Sequence, residues 1–155
     1  MSRQLKLSAV AAHPFLTGLK PEACEAFWHC ASQRRFEAGQ EIFREGDKAE
    51  HFFLIERGQV VLDLFVPGQG QVTIHAVGSG EALGWSWLFP PYQWHFSATA
   101  TKPTTAIAFG AVYLRETAQQ NPEFCYELVV RLARVLAGRL DDVRTRLLYA
   151  YQMRA

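Results

Sequence analysis

Three histidines, His51, His75 and His95, and three cysteines, Cys24, Cys30 and Cys125, are the first candidates for metal or nucleophilic chemistry. Their spacing argues against both. A metal site in a small β-barrel wants two histidines one residue apart on a strand, so that both point the same way. Here each histidine stands alone, and no nearby carboxylate completes a ligand pair. A haem sensor would set His75 or His95 beside a cysteine, but no attachment motif supports that. The cysteines are odd in number and irregularly spaced, which reads as free thiols in a reducing cytoplasm. There is no G-x-S-x-G, C-x-x-C, H-E-x-x-H or phosphate loop ending in G-K-[ST]. The expectation is no enzyme, no catalytic residue, no metal and no cofactor.

Gly78 to Ala100 is the richer stretch: G-S-G-E-A-L-G-W-S-W-L-F-P-P-Y-Q-W-H-F-S-A-T-A. Trp85, Trp87, Leu88, Phe89, Tyr92, Trp94 and Phe96 fall within twelve positions, stiffened by Pro90-Pro91. Aromatic faces at this density do one of two things. They collapse on one another and fill a core, or they line an apolar pocket that stacks a planar or hydrophobic ligand. In the second case Gly84, Trp85, Ser86, Trp87, Tyr92, Trp94, His95, Phe96 and Ser97 form the site, and Ser86, His95 and Ser97 are its few polar handles.

The elements around this stretch follow from periodicity. Residues 8–33 read as helices, with Pro14 interrupting the first and Pro21 suiting the first turn of the second. From Arg34 to Phe109 the period is two, in short runs rich in Val, Ile, Phe and Thr separated by glycine and proline turns. That pattern predicts a sandwich or barrel. Residues 111–155 are helical again. The segment from Pro122 to about Tyr151 carries a seven-residue repeat, with Tyr126, Ala133, Leu140 and Leu147 at one position and Val129, Leu136, Val143 and Ala150 at the other. Such a seam predicts a homodimer through Val129, Ala133, Leu136, Leu140, Val143 and Leu147. The alternative is a helix lying wholly on its own core.

Composition bounds the rest. The chain has 155 residues, 49% hydrophobic and 20% charged, with a net charge of +1. That suits one globular domain spanning residues 1–155, without the basic excess that advertises nucleic acid. Arg131, Arg134, Arg139, Arg144, Arg146 and Arg154 on the last helix read as a solvated face. No signal-peptide core opens the chain, and no run of 18 apolar residues predicts a membrane span.

The runs F-E-A-G-Q-E-I-F-R-E-G-D, F-F-L-I-E-R-G-Q-V, G-S-G-E-A-L-G and S-A-T-A together resemble the cyclic nucleotide-binding domain. The likeness extends from about residue 13 to 150 and is similar to the sensor half of the catabolite activator and FNR-like bacterial regulators. It implies a mainly β fold with flanking α: a double-stranded β-helix, or jelly-roll β-roll, with N-terminal helices and a long C-terminal dimerisation helix. In the family's pattern a short helix follows the glycine turn and offers its N–H groups to a cyclic phosphate. A Glu after the glycine accepts the ribose hydroxyl, and an Arg before an [ST]-A pair neutralises the phosphate. Here Trp85 follows Gly84, and Phe96 precedes Ser97-Ala98. No Lys or Arg occurs between Arg57 and Lys102, and His95 is a cation only when protonated. Two charge-assisted bonds at about 1.5–3 kcal/mol each are missing, which weakens affinity on the order of 10²–10⁴-fold. Cyclic nucleotide is therefore not the expected ligand, and an apolar or aromatic one is.

Two function classes remain. One is a cytoplasmic regulatory sensor, dimeric and non-catalytic, with an altered or lost ligand. The other is a transcriptional regulator: the resembled regulators carry a helix-turn-helix after the long helix, and this chain ends at Ala155, about where that domain would begin. Direct DNA binding by this chain alone is not expected, so such a regulator would act through a partner or in truncated form. A cyclic-nucleotide binder using non-standard contacts is the third alternative.

Overall fold

A computed structural model describes residues 5–153. Arg154 and the outermost residues of the expected 1–155 span lie outside them. The order is α1 (Leu7–Ala11), a 3-10 turn (Pro14–Leu16), α2 (Pro21–His29), β1 (Ala31–Phe36), β2 (Glu41–Phe43), β3 (His51–Arg57), β4 (Gln59–Val66), β5 (Gly70–Gly78), β6 (Ala82–Leu83), β7 (Ser97–Ala100), β8 (Thr104–Gly110), α3 (Ala111–Gln120) and α4 (Pro122–Met153). Two four-stranded antiparallel sheets, β1-β8-β3-β6 and β2-β7-β4-β5, face each other as the mainly β roll with flanking helices that the sequence predicts. The first strand begins at Ala31, three residues before the expected Arg34. Among the described residues no helix is long and apolar enough to cross a membrane.

Strand β3 explains how the layers are held. Residues 52–55 are all buried, so the strand is covered on both faces rather than alternating. Phe53 points between the sheets, against Phe36 and Phe43. Phe52 points the other way, against Phe15 and Trp87, and Phe109 of β8 meets Phe27 of α2. A one-residue slip would exchange these two sets, which pins the register.

Helix α4 starts where Pro122 presets φ and the Asn121 side chain accepts the Phe124 N–H at 3.1 Å. Phe124, Leu128 and Leu132 bury its first third on the domain core. Beyond Arg139 every described residue of the helix is exposed. Leu140 is 70% exposed, Val143 58% and Leu147 57%. Val129 and Ala133 are exposed too, and Leu136 is half-buried. The seven-residue seam is thus an outward apolar face of the single chain.

Candidate functional site

The cassette after β6 opens with Gly84 at φ +83°. No helix follows. Residues 85–92 form turns, closed by Leu88 N–H to Trp85 O (3.1 Å) and Tyr92 N–H to Phe89 O (2.8 Å). The short helix implied by the resemblance is absent among these residues, and a turn takes its place. The turns are held by Arg115 of α3, whose Nη1 donates to Trp87 O at 2.6 Å while its guanidinium lies 4.0 Å from the Tyr92 ring centre.

The nine expected site residues divide into groups. Trp87 and Trp94 depart from the expected ligand-facing role and are core. Trp87 is fully buried on Phe52, with ring centres 4.9 Å apart. Trp94 stacks on Phe43 at 3.7 Å and 8°, filling the space a Gly84 side chain would need. Tyr92 sits under Arg115. Ser97 is buried, and its hydroxyl accepts the Glu45 N–H at 3.0 Å rather than facing a ligand. Ser86 is buried too, within 2.9 Å of His95 Nδ1, and fixes that ring. Only Trp85, His95 and Phe96 meet open space together.

That space is a pocket of about 360 Å³ between the cassette, the β4–β5 hairpin and α4. Leu62, Leu64 and Ile74 form its floor on the roll, Trp85 and Phe96 one wall, and Val143 the helix side. Trp85 and Phe96 meet edge to face at 5.6 Å. Of the six aromatics in the run, Trp87 and Trp94 are core, and Trp85 and Phe96 border this cavity.

Sequence reasoning missed one residue here. The cassette has no cation of its own, but α4 supplies one. Arg139 lines the pocket, its guanidinium 5.0 Å from the Trp85 ring centre, and its Nη2 donates to Ala82 O at 2.8 Å. Burial lowers its pKa from the usual arginine value, with Glu81 and Asp142 opposing; it remains a cation at any physiological pH. Two neighbours in sequence also cross to the body: Arg131 Nη1 donates to Phe15 O at 2.9 Å and Arg146 Nη1 to Ile74 O at 2.6 Å. The arginines of α4 are thus not all a solvated face. Spacings of eight and seven residues put these three on one side of the helix, a signal visible in the sequence but masked by the apolar seam beside it.

His75, also on the pocket lining, is held below its ordinary pKa by burial and then by Arg139. Burial pushes the Cys30 thiol up to about 11, which leaves it almost no thiolate as a nucleophile. Among the described residues no three His, Cys, Asp or Glu side chains gather as metal ligands.

The chain is 26% identical over 145 residues to the cyclic AMP receptor protein of Thermus thermophilus, covering 88% of this chain and 67% of that one. It is 26% identical over 123 residues to the CRP-like cAMP-activated global transcriptional regulator of Mycobacterium tuberculosis, covering 79% of this chain and 53% of the relative. The chain therefore spans only part of these regulators. A crystal structure of a Geobacter metallireducens protein regarded as cyclic nucleotide-binding superposes with a TM-score of 0.78 at 27% identity, over 88% of this chain and 98% of that one. The β-roll, the glycine turns and the long helix agree with a direct match of residues 33–121, more than half of the sequence, to the family model; the chain belongs to the cyclic nucleotide-binding domain family.

Proposed function

We propose that this chain is a non-catalytic, cytoplasmic, dimeric sensor module whose pocket takes an apolar or aromatic ligand in place of a cyclic nucleotide. The observation that carries this is the lining at the two positions where the family's pattern sets its polar anchors. Trp85 and Phe96 stand there, and both face the pocket. No carboxylate lines it to accept a ribose hydroxyl. A ribose and a purine edge would leave several polar atoms unpaired against leucine and tryptophan, at roughly 1–3 kcal/mol each. An apolar ring loses little water there and gains an aromatic contact of about 0.5–1.5 kcal/mol beyond its buried area.

The dimer is proposed from the outward seam of α4, where Leu140, Val143 and Leu147 have no cover in the single chain. The regulator relatives extend beyond the length matched here, so any part in transcription would run through a partner or a further segment. One observation favours a second reading. Arg139 is a cation at the pocket and could replace the family's phosphate anchor. Calorimetry with cyclic AMP and cyclic GMP at neutral pH decides between them: no binding tighter than about 10 μM is expected. A tighter constant, lost in Arg139→Gln, would establish the cyclic-nucleotide reading instead.

A further inference from the structure

The pocket is mostly apolar, with His75 and His95 at its edge, and one half-buried permanent cation stands at its helix wall. Arg139 spends Nη2 on the Ala82 carbonyl, while Nη1 has no hydrogen-bond partner and is shut off from solvent. No Asp or Glu lines the pocket. The Trp85 face near the guanidinium offers only its quadrupole. The neighbouring cleft on the far side of Arg139 differs, since Glu81 and Asp142 line it beside Arg131, Arg134 and Arg139 itself.

We infer that the ligand is a small monocarboxylate with an apolar body, its carboxylate on Arg139 and its ring or branched chain among Leu62, Leu64, Ile74, Trp85 and Phe96. This rests on the proposed reading of the pocket as an apolar ligand site and adds the charge of the ligand to it. One guanidinium suits one carboxylate, whose two oxygens match the planar fork. A phosphate dianion would bring a second charge, and His75 and His95, the other titratable groups on the lining, supply no permanent cation to balance it. The guanidinium is already half-buried, so pairing it demands less further desolvation than an exposed arginine would. The volume, about 360 Å³, lies at the lower end of small-molecule sites and suits one or two rings or a medium-length chain.

Isothermal calorimetry on the full chain with two matched pairs, phenylacetate against phenylacetamide and octanoate against octanamide, tests the inference. Each acid should bind at least about tenfold tighter than its amide at neutral pH, as a charge-assisted bond implies. Arg139→Gln should bring the acid down to the amide while changing amide affinity less than about threefold. Arg139→Lys, which keeps the charge without the fork, should retain part of the preference, and thermal melts of each variant check folding. Val143→Trp, which fills the pocket from the helix side, should weaken acids and amides alike. Amides that bind as tightly as acids in the wild type overturn the carboxylate assignment alone. An acid preference that survives Arg139→Gln overturns it as well. If none of the four probes binds at millimolar concentration, the apolar-site reading falls together with it.

Discussion

Replacing Gly84 with alanine separates a glycine kept for backbone geometry from one kept because an aromatic ring occupies its side-chain space. At φ +83° a built Cβ lies 2.4 Å from Trp94 Cζ3 and 3.1 Å from Cη2, against about 3.5–4.0 Å for comfortable carbon contacts. The indole has nowhere to retreat. It is 3% exposed and stacked on Phe43. Its backbone is tied on both sides, Trp94 N–H to Asp47 O at 2.9 Å and Gly46 N–H to Trp94 O at 2.8 Å. The left-handed backbone costs alanine about 1–2 kcal/mol, and overpacking adds about 1–3 kcal/mol. Gly39→Ala is the matched control: its φ is +88°, and nothing lies within 4 Å of its built Cβ, so it carries the backbone cost alone. Urea unfolding followed by circular dichroism should therefore find Gly84→Ala the worse by about 1–3 kcal/mol, or roughly 2–12 °C in Tm for a chain of this size. Trp94→Leu should shrink that gap in a double-mutant cycle. Equal costs at the two glycines would refute the packing of Trp94 into the cassette, and with it the division of the aromatic run into core and pocket.

The remaining expectations concern the proton, the cassette and the dimer. His13 is held below its ordinary pKa by burial, with the Ile55 carbonyl and Glu56 opposing more weakly. The unfolded chain, titrating near 6.5, therefore takes the proton first. Stability is full above about pH 6.5 and falls as pH drops through the window below it; His51 and His75, lowered chiefly by burial, add to the same slope. Urea midpoints at pH 7.5 and 5.5 should show this loss, and His13→Asn should reduce it; an unchanged slope would mean that His13 is not the group responsible. Arg115→Met removes the bond to Trp87 O and the contact with Tyr92, worth about 1–3 kcal/mol. Hydrogen exchange should quicken at residues 85–92 by roughly tenfold or more while β3 and β8 keep their protection; no change there would show that the turns hold themselves. Leu140→Glu with Leu147→Glu places two charges on the outward seam, and light scattering should report monomer for the variant and dimer for the wild type at tens of micromolar. A wild-type monomer would sink the seam.

Most of the strands were legible because half-buried strands alternate and their turns carry glycine or proline. In β4, Val60 and Leu62 are buried and alternate with half-exposed neighbours, which is the period of two that the sequence carries. Strand β1 hid because A-S-Q-R-R-F pairs on one side only, with β8, and keeps its arginines in water. Strand β6 is two residues long, too short for any period. The aromatic cassette was legible as a cluster but not as an arrangement. It has no regular backbone, so neither a period of two nor of 3.6 says which rings point inward. Trp85 and Trp87 share a spacing that would align them on a strand, yet in a turn one faces the pocket and the other Phe52. Arg139 was missed for a different reason. A seam is found by its apolar members, and a long arginine that lays its stem along the roll is discounted with the polar face.

Arg139 and Val143 also join the two halves of the proposed function. Val143 belongs at once to the pocket lining and to the outward seam, and Arg139 immediately precedes Leu140. From residue 140 onward α4 is exposed throughout, and its side-chain hydrogen bond to the body there is that of Arg146 to Ile74 O. The half of the helix that packs on the body and the half that is exposed therefore meet at the pocket. A ligand touching Leu62, Leu64 and Ile74 on the roll and Val143 on the helix would contact both sides of this junction. Under the proposed reading, a ligand that prefers one setting of the helix tenfold shifts the balance of settings by about 1.4 kcal/mol. That is too little to turn a 99:1 equilibrium around, which takes about 5.5 kcal/mol, but it moves one poised near even. Under the same reading, an apolar half that is uncovered in the single chain and meets a second copy, rather than its own domain, leaves the helix free to be poised in this way.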